Sequence, residues 1–86
     1  MNDRKQSRQD TIRFDLVTLL LDGIENRKTI IDTLNQASVI CQQDNPGKIV
    51  LKAEAMVTEL RGKYDQGGMT DHEAKEEISD ILILLT

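Results

Sequence analysis

The chain has 86 residues, a formal net charge of −4 and only two aromatic side chains, Phe14 and Tyr64, with no Trp. This length allows one domain with a modest core, and a core built from Leu, Ile, Val, Met and Ala favours packed helices. The acidic balance excludes a DNA-binding domain of the strongly basic kind, the lone Cys41 excludes an internal disulfide and fits a reducing cytoplasm, and apolar runs of about five residues are far short of a membrane span.

The first residues are polar, charged and without hydrophobic periodicity. They predict a flexible arm over residues 1–9 with no signal peptide, ahead of a single helical domain over residues 10–86. The arm and the residues just after it carry Arg4, Lys5, Arg8 and Arg13 against Asp3 and Asp10. Ser7 or Asp10 is placed to cap the first helix.

Apolar residues begin at Ile12 and Phe14. Val17, Leu20, Ile24, Ile31, Leu34 and Cys41 lie close to a heptad seam, flanked by Leu16, Leu19, Leu21, Ile30 and Ile40. The seam is interrupted at Arg27 and Lys28, and Gly23 near the gap weakens a helix by about 1 kcal/mol relative to Ala. The expectation is one long helix over residues 10–42. The alternative is a break at residues 23–26, with Asn26 capping a second helix. The sequence QQDNPG at residues 42–47 is a strong turn signal, with Asn45 as cap and Pro46 at the first position of the next helix, residues 46–66. Ile49, Ala53, Met56 and Leu60 form the stripe of that helix, with Val50, Val57 and Tyr64 on its edge. Gly67 and Gly68 end it.

The last helix, residues 70–85, is the clearest element. Thr70 and Glu73 have capping-box spacing, Met69 and Ala74 can form a hydrophobic staple, and Asp71 and Glu73 sit where the helix dipole favours acids. Ala74, Ile78, Ile81 and Leu85 recur on one face, and Lys75, Glu76, Ser79 and Asp80 make the other face polar. After Asp80 the sequence ILILL is apolar all round, which predicts a terminus buried on every side. Short connections make antiparallel neighbours, so the expected fold is all-α. It is a small bundle of three helices, or four if the first one breaks, with a long N-terminal helix packed on an antiparallel helical hairpin.

Signals for chemistry are weak. His72 and Glu76 form an i, i+4 pair, but a zinc site needs three or four ligands and no HExxH is present. Glu73, Glu76, Glu77 and Asp80 lie on or beside a polar face, where they stay solvated rather than acquiring the perturbed pKa that acid–base work requires. Cys41 falls late in an apolar stripe, a core position rather than one that activates a thiolate. The glycines form no phosphate loop, and Arg61-Gly62-Lys63 lacks Walker spacing. No catalytic residue, cofactor or metal ligand is assigned.

The stretch LRGKYDQGGMTDHEAKEEISDIL at residues 60–82 resembles the short C-terminal oligomerisation domain SHOCT in its order of helix, glycine and Thr-initiated acidic helix. Ala74 stands where that family has a large apolar or aromatic residue. Residues 24–64 are loosely similar to the small helical hairpins of sporulation phosphatases, but AEAMV at residues 53–57 replaces their signature. No function is carried over from either. The function expected is that of a small non-enzymatic protein–protein interaction module: an adaptor, chaperone-like protein or inhibitor, forming a homodimer or covering another protein. Its apolar surface would draw on Val17, Leu20, Ile24, Ile31, Leu34, Ile81, Leu82 and Leu85. The alternative is a nucleic-acid-associated regulator with Arg4, Lys5, Arg8 and Arg13 on phosphates. Arg27 and Lys28 would extend that basic patch if the first helix presented them on the same side.

Overall fold

The computed structural model describes residues 8–86. They form four helices and, among the described residues, no strand: α1 Arg8–Ile24, α2 Ile30–Cys41, α3 Lys48–Asp65 and α4 Asp71–Leu85. Each helix packs mainly on the two that flank it in a ring, α1 on α2 and α4, and α3 on α2 and α4, with little contact across the diagonals. The links are short, so the helices run up, down, up and down. At one end, Lys75 near the start of α4 donates to Asn26 after α1, and Tyr64 near the end of α3 donates to Asp71 at the start of α4. At the other end, Gln9 and Arg13 of α1 line one depression with Pro46 and Gly47 before α3, and Phe14 and Val17 of α1 line another with Thr86 after α4.

The all-α bundle is as expected, but the long first helix is not: the chain reverses after Ile24. Asn26 takes a left-handed backbone, φ 65°. The Arg27 N–H reaches the Asp22 carbonyl at 2.9 Å and the Asn26 N–H reaches the Gly23 carbonyl at 3.3 Å. These are the two bonds of a Schellman motif, with Asn in the position Gly usually fills. Asn26 therefore ends α1 rather than capping α2. The cap of α2 is Thr29, whose hydroxyl accepts the Asp32 N–H at 3.1 Å.

Gly23 has a different purpose from breaking the helix. It lies inside α1 and is buried, and a Cβ there would fall 2.6 Å from Thr33 Oγ1 and 2.7 Å from Thr33 Cγ2. The glycine lets α1 and α2 approach closely just above their connection. Thr33 is itself wholly buried and satisfies its hydroxyl by donating to the Thr29 carbonyl at 2.8 Å, as a buried polar group must.

The next turn is displaced from expectation by two residues. Asn45 adopts φ 54° and Gly47 φ 96°, Pro46 is buried in the connection, and α3 starts at Lys48 with Gly47 as an N-cap that makes no side-chain hydrogen bond. The end of α3 is as the sequence indicates. Gly67 is left-handed at φ 73°, and the N–H groups of Gly67 and Gly68 reach the carbonyls of Tyr64 and Lys63, a second Schellman motif. The capping box of α4 forms in full: Glu73 N–H to Thr70 Oγ1 at 3.1 Å and Thr70 N–H to Glu73 Oε1 at 2.9 Å.

The core combines Ile12, Leu16 and Leu20 of α1, Leu34, Ala37 and Cys41 of α2, Val50, Val57 and Leu60 of α3, and Ala74, Ile78, Ile81 and Leu85 of α4. Met69 packs against it, partly buried, at the entrance to α4. The ILILL terminus is not enclosed as expected. Ile81 and Leu85 are in the core, Leu82 and Leu84 are half-buried, and Ile83 is 72% exposed. Every helix of a four-membered ring has an outer side, and a run apolar all round places one residue there.

The Gly23–Thr33 approach gives a direct test. Gly23→Ala gains about 1 kcal/mol of helix propensity but loses about 1–3 kcal/mol through overpacking. Urea denaturation of the variant is expected to show a net loss of stability, and adding Thr33→Ala is expected to recover part of it. An unconditional gain in Gly23→Ala would show that the two helices are free to separate.

Candidate interaction surface

The outer side of α1 carries the most ordered apolar feature of the described surface. Phe14, Val17, Leu21 and Ile24 follow spacings of three, four and three, which aligns them along one side of a helix. Phe14 is 68% and Leu21 41% exposed, and Val17 and Ile24 lean against the core from outside. The stripe is about 15 Å long at the helical rise. Phe14 and Val17 line a shallow depression that Thr86 borders, so the stripe adjoins the end of α4, where Ile83 stands outward and Leu82 is half-buried. The other exposed large apolar residues are Val39 on α2 and Ile49 and Leu51 on α3. The stripe Ile49, Ala53, Met56 and Leu60 expected on α3 does not stay outside: Ala53 and Leu60 are buried, and the buried face of α3 is Val50, Ala53, Val57 and Leu60.

The eight apolar residues singled out from sequence divide into two groups. Leu20, Leu34, Ile81 and Leu85 are core residues and hold the bundle together. Val17, Ile24, Ile31 and Leu82 are half-buried. Phe14, Leu21 and Ile83, which lie outside that set, are on the outer surface. The i, i+3, i+7 pattern was present for 14, 17 and 21 as well as for 17, 20 and 24, but α1 is apolar over much of its circumference, and spacing alone does not say which side turns inward.

Among the described residues, Arg8 and Arg13 at the start of α1 are not brought together with Arg27 and Lys28 after its end. Arg4 and Lys5 lie outside the described residues. Arg8 is exposed at the start of α1, and Arg13 pairs with Asp10 at 3.4 Å. Arg27 pairs with Asp22 at 3.2 Å and Glu25 at 2.8 Å. Arg13 and Arg27 are separated by the length of α1 between them, about 20 Å at 1.5 Å per residue, so Arg27 and Lys28 do not extend an N-terminal basic patch. These ion pairs are exposed and each contributes about 0–1 kcal/mol.

Among the described residues no three His, Cys, Asp or Glu side chains group as metal ligands. His72 is exposed and, among the described residues, pairs with Glu76 at 3.4 Å. Cys41 is buried, as its place in the stripe suggested. Desolvation, reinforced by the Glu54 carboxylate, pushes its thiol up to about 11. Tyr64 is shifted upward as well, first because its hydroxyl donates to Asp71 and then through desolvation and the charge of that carboxylate. Both shifts hold these groups in their neutral, protonated forms. Among the described residues no helix is long and apolar enough to cross a membrane. Comparison with known family models, characterised proteins and solved structures found no match.

The raised pKa of Cys41 fixes a sign. Its native value lies above the unfolded one, so its contribution to stability is complete below about pH 9 and is lost as pH rises towards 11. Stability measured from pH 8 to 11 is expected to fall, and to fall less steeply in Cys41→Ala. At pH 8 the native thiol is expected to react with an aromatic disulfide only as fast as the bundle opens. Rapid stoichiometric labelling of the native protein would mean that the thiol is accessible.

Proposed function

We propose that this chain is a non-enzymatic protein–protein interaction module. Its working surface is the outer side of α1 together with the end of α4. One observation carries this reading: the run Phe14, Val17, Leu21 and Ile24 stays on the outside of a helix whose opposite side already supplies the core. Single exposed apolar residues are ordinary on protein surfaces, whereas aligned ones mark contact sites. The partner is a second copy or another protein that offers an apolar helix face, in the manner of helix-on-groove recognition. An aromatic anchor such as Phe14 supplies a large contact area for little conformational entropy. The lone buried thiol suits work in a reducing compartment such as the cytoplasm. A nucleic-acid role would rest on Arg4, Lys5, Arg8 and Arg13, and the pairing of Arg13 with Asp10 weakens it.

A photo-crosslinking residue placed at Leu21, in the cell that makes the protein, tests the surface against a control at Gln36 on the exposed side of α2. Discrete adducts of higher mass are expected from position 21 and not from position 36. Equal labelling from both, or none from either, would remove the outer side of α1 as a contact site.

A further inference from the structure

The buried residues of α1 and α2 keep one phase across the reversal between them. Leu16, Gly23, Ile30 and Ala37 fall at intervals of seven. So do Ile12, Leu19 and Thr33, with one place left at residue 26, and Leu20, Leu34 and Cys41, with one place left at residue 27. Of the buried residues in the two helices, Ser38 alone stands outside these series. Seven residues are close to two turns of helix, so each series would lie along one side if residues 25–29 were helical. A hairpin does not require this. The reversal lets each helix find its own inner side, and one residue more or fewer in the link would turn the second set by about 100°.

This link is also the one connection between the described helices that contains neither Pro nor Gly. The others hold Pro46 and Gly47, and Gly67 and Gly68, residues that stop a helix. Helical hydrogen bonding of α1 runs on to the Glu25 N–H, which reaches the Leu21 carbonyl. That of α2 starts from the Thr29 carbonyl, which accepts the Thr33 N–H. Asn26, Arg27 and Lys28 are all that lies between. Asn26 holds the reversal with its left-handed backbone, a conformation that residues with a side chain adopt at a cost and that a straight helix would release.

The register of the hairpin is set where Gly23 meets Thr33. Residues at one level of an antiparallel pair have numbers of constant sum, so the pairing is symmetric about residue 28. Straightening the link in two copies lets α1 of each lie on α2 of the other in this same register, with a two-fold axis near residue 28.

We infer that two copies of this chain exchange α1. Residues 25–29 straighten, α1 and α2 become one helix over residues 8–41 about 50 Å long, and each copy's α1 takes the place of the other's in the bundle. The inner side of α1 keeps its contacts, now with the second copy, which is why exchange of a whole element is a low-cost route to a dimer. A short link under strain favours it. The ties given up lie at the surface: the Lys75–Asn26 hydrogen bond and the pairing of Arg27 with Asp22 and Glu25. Tyr64–Asp71 and Lys63–Glu77 join α3 to α4 and survive. The outer side of α1 faces outward in both forms, so exchange needs no contact there.

Protein unfolded in urea and refolded at near-millimolar concentration is expected to show a dimer beside the monomer on sedimentation. Asn26→Ala favours the straight link and Asn26→Gly the reversal, at an exposed position. Each dimer contains two links, so the preference enters squared, and the dimerisation constants of these variants are expected to differ by at least about a hundredfold with helicity alike. In a Cys41→Ala background, spin labels at Asp15→Cys and Val39→Cys, both exposed, report the path of one chain refolded with an excess of unlabelled protein. The hairpin sets these positions within about 3 Å of one level along the axis, whereas one straight helix sets them about 36 Å apart. The dimer is expected to show the long distance and the monomer the short one. Wild type and Asn26→Ala both monomeric at near-millimolar concentration would overturn exchange. So would a dimer that keeps the short distance, and the adducts from position 21 would judge the outer side of α1 separately. Equal dimerisation of Asn26→Ala and Asn26→Gly would overturn the assignment of the hinge.

Discussion

The reversal at residues 25–29 is the constraint on which the bundle depends. Before it, α1 has an aliphatic face with nothing of its own to cover. After it, α2 returns along that face, and the two approach so closely that no side chain fits at Gly23 beside Thr33. Closing a loop of this length costs little entropy compared with a long excursion. The turn also satisfies the backbone groups left over at both helix ends, through Asn26 on one side and Thr29 on the other. With α1 and α2 paired, α3 and α4 have a two-helix platform to pack on, and the ring closes where α4 meets α1.

The sequence declares some of this clearly and some not at all. The start of α4 and the end of α3 are plain because each rests on local chemistry: a Thr and a Glu three residues apart, and a left-handed Gly. The reversal is hidden because Ile24 and Ile31 are seven residues apart. One turn-containing link thereby imitates an unbroken heptad, and periodicity cannot tell a straight seam from one that folds back on itself. Its local markers were Asn26 and the Thr29–Asp32 pair, which compete with a helical pattern only if they are weighed as chain terminators. Pro46 misleads for a related reason. It is a good first helical residue, but Gly47 can adopt the φ of 96° that the chain needs there, and that postpones the helix.

The candidate surface was partly legible. Spacing points alike to Val17, Ile24 and Leu82, which the fold leaves half-buried against the core, and to Leu20, Leu34, Ile81 and Leu85, which belong to the interior. In a small ring each helix turns roughly half its circumference inward, and a helix that is apolar over more than half must leave the remainder outside. Sequence gives the excess but not its direction, because the direction is set by where the neighbouring helices stand. For α1 that depends on α4, which is distant in sequence.

Three side-chain ties between elements gather at one end. Tyr64 to Asp71, Lys75 to Asn26 and Lys63 to Glu77 join the end of α3, the first half of α4 and the α1–α2 connection, next to the capping box and both Schellman motifs. At the other end α3 begins at a glycine without a side-chain cap, and α4 ends on aliphatic residues with no basic side chain in its last turn. The molecule is therefore polarised mechanically. Local opening at the start of α3, where Gly47 offers no side-chain cap, is expected to cost less than opening at the tied end. The bundle behaves less like a uniform rod than like a clasp with a fixed hinge at one end.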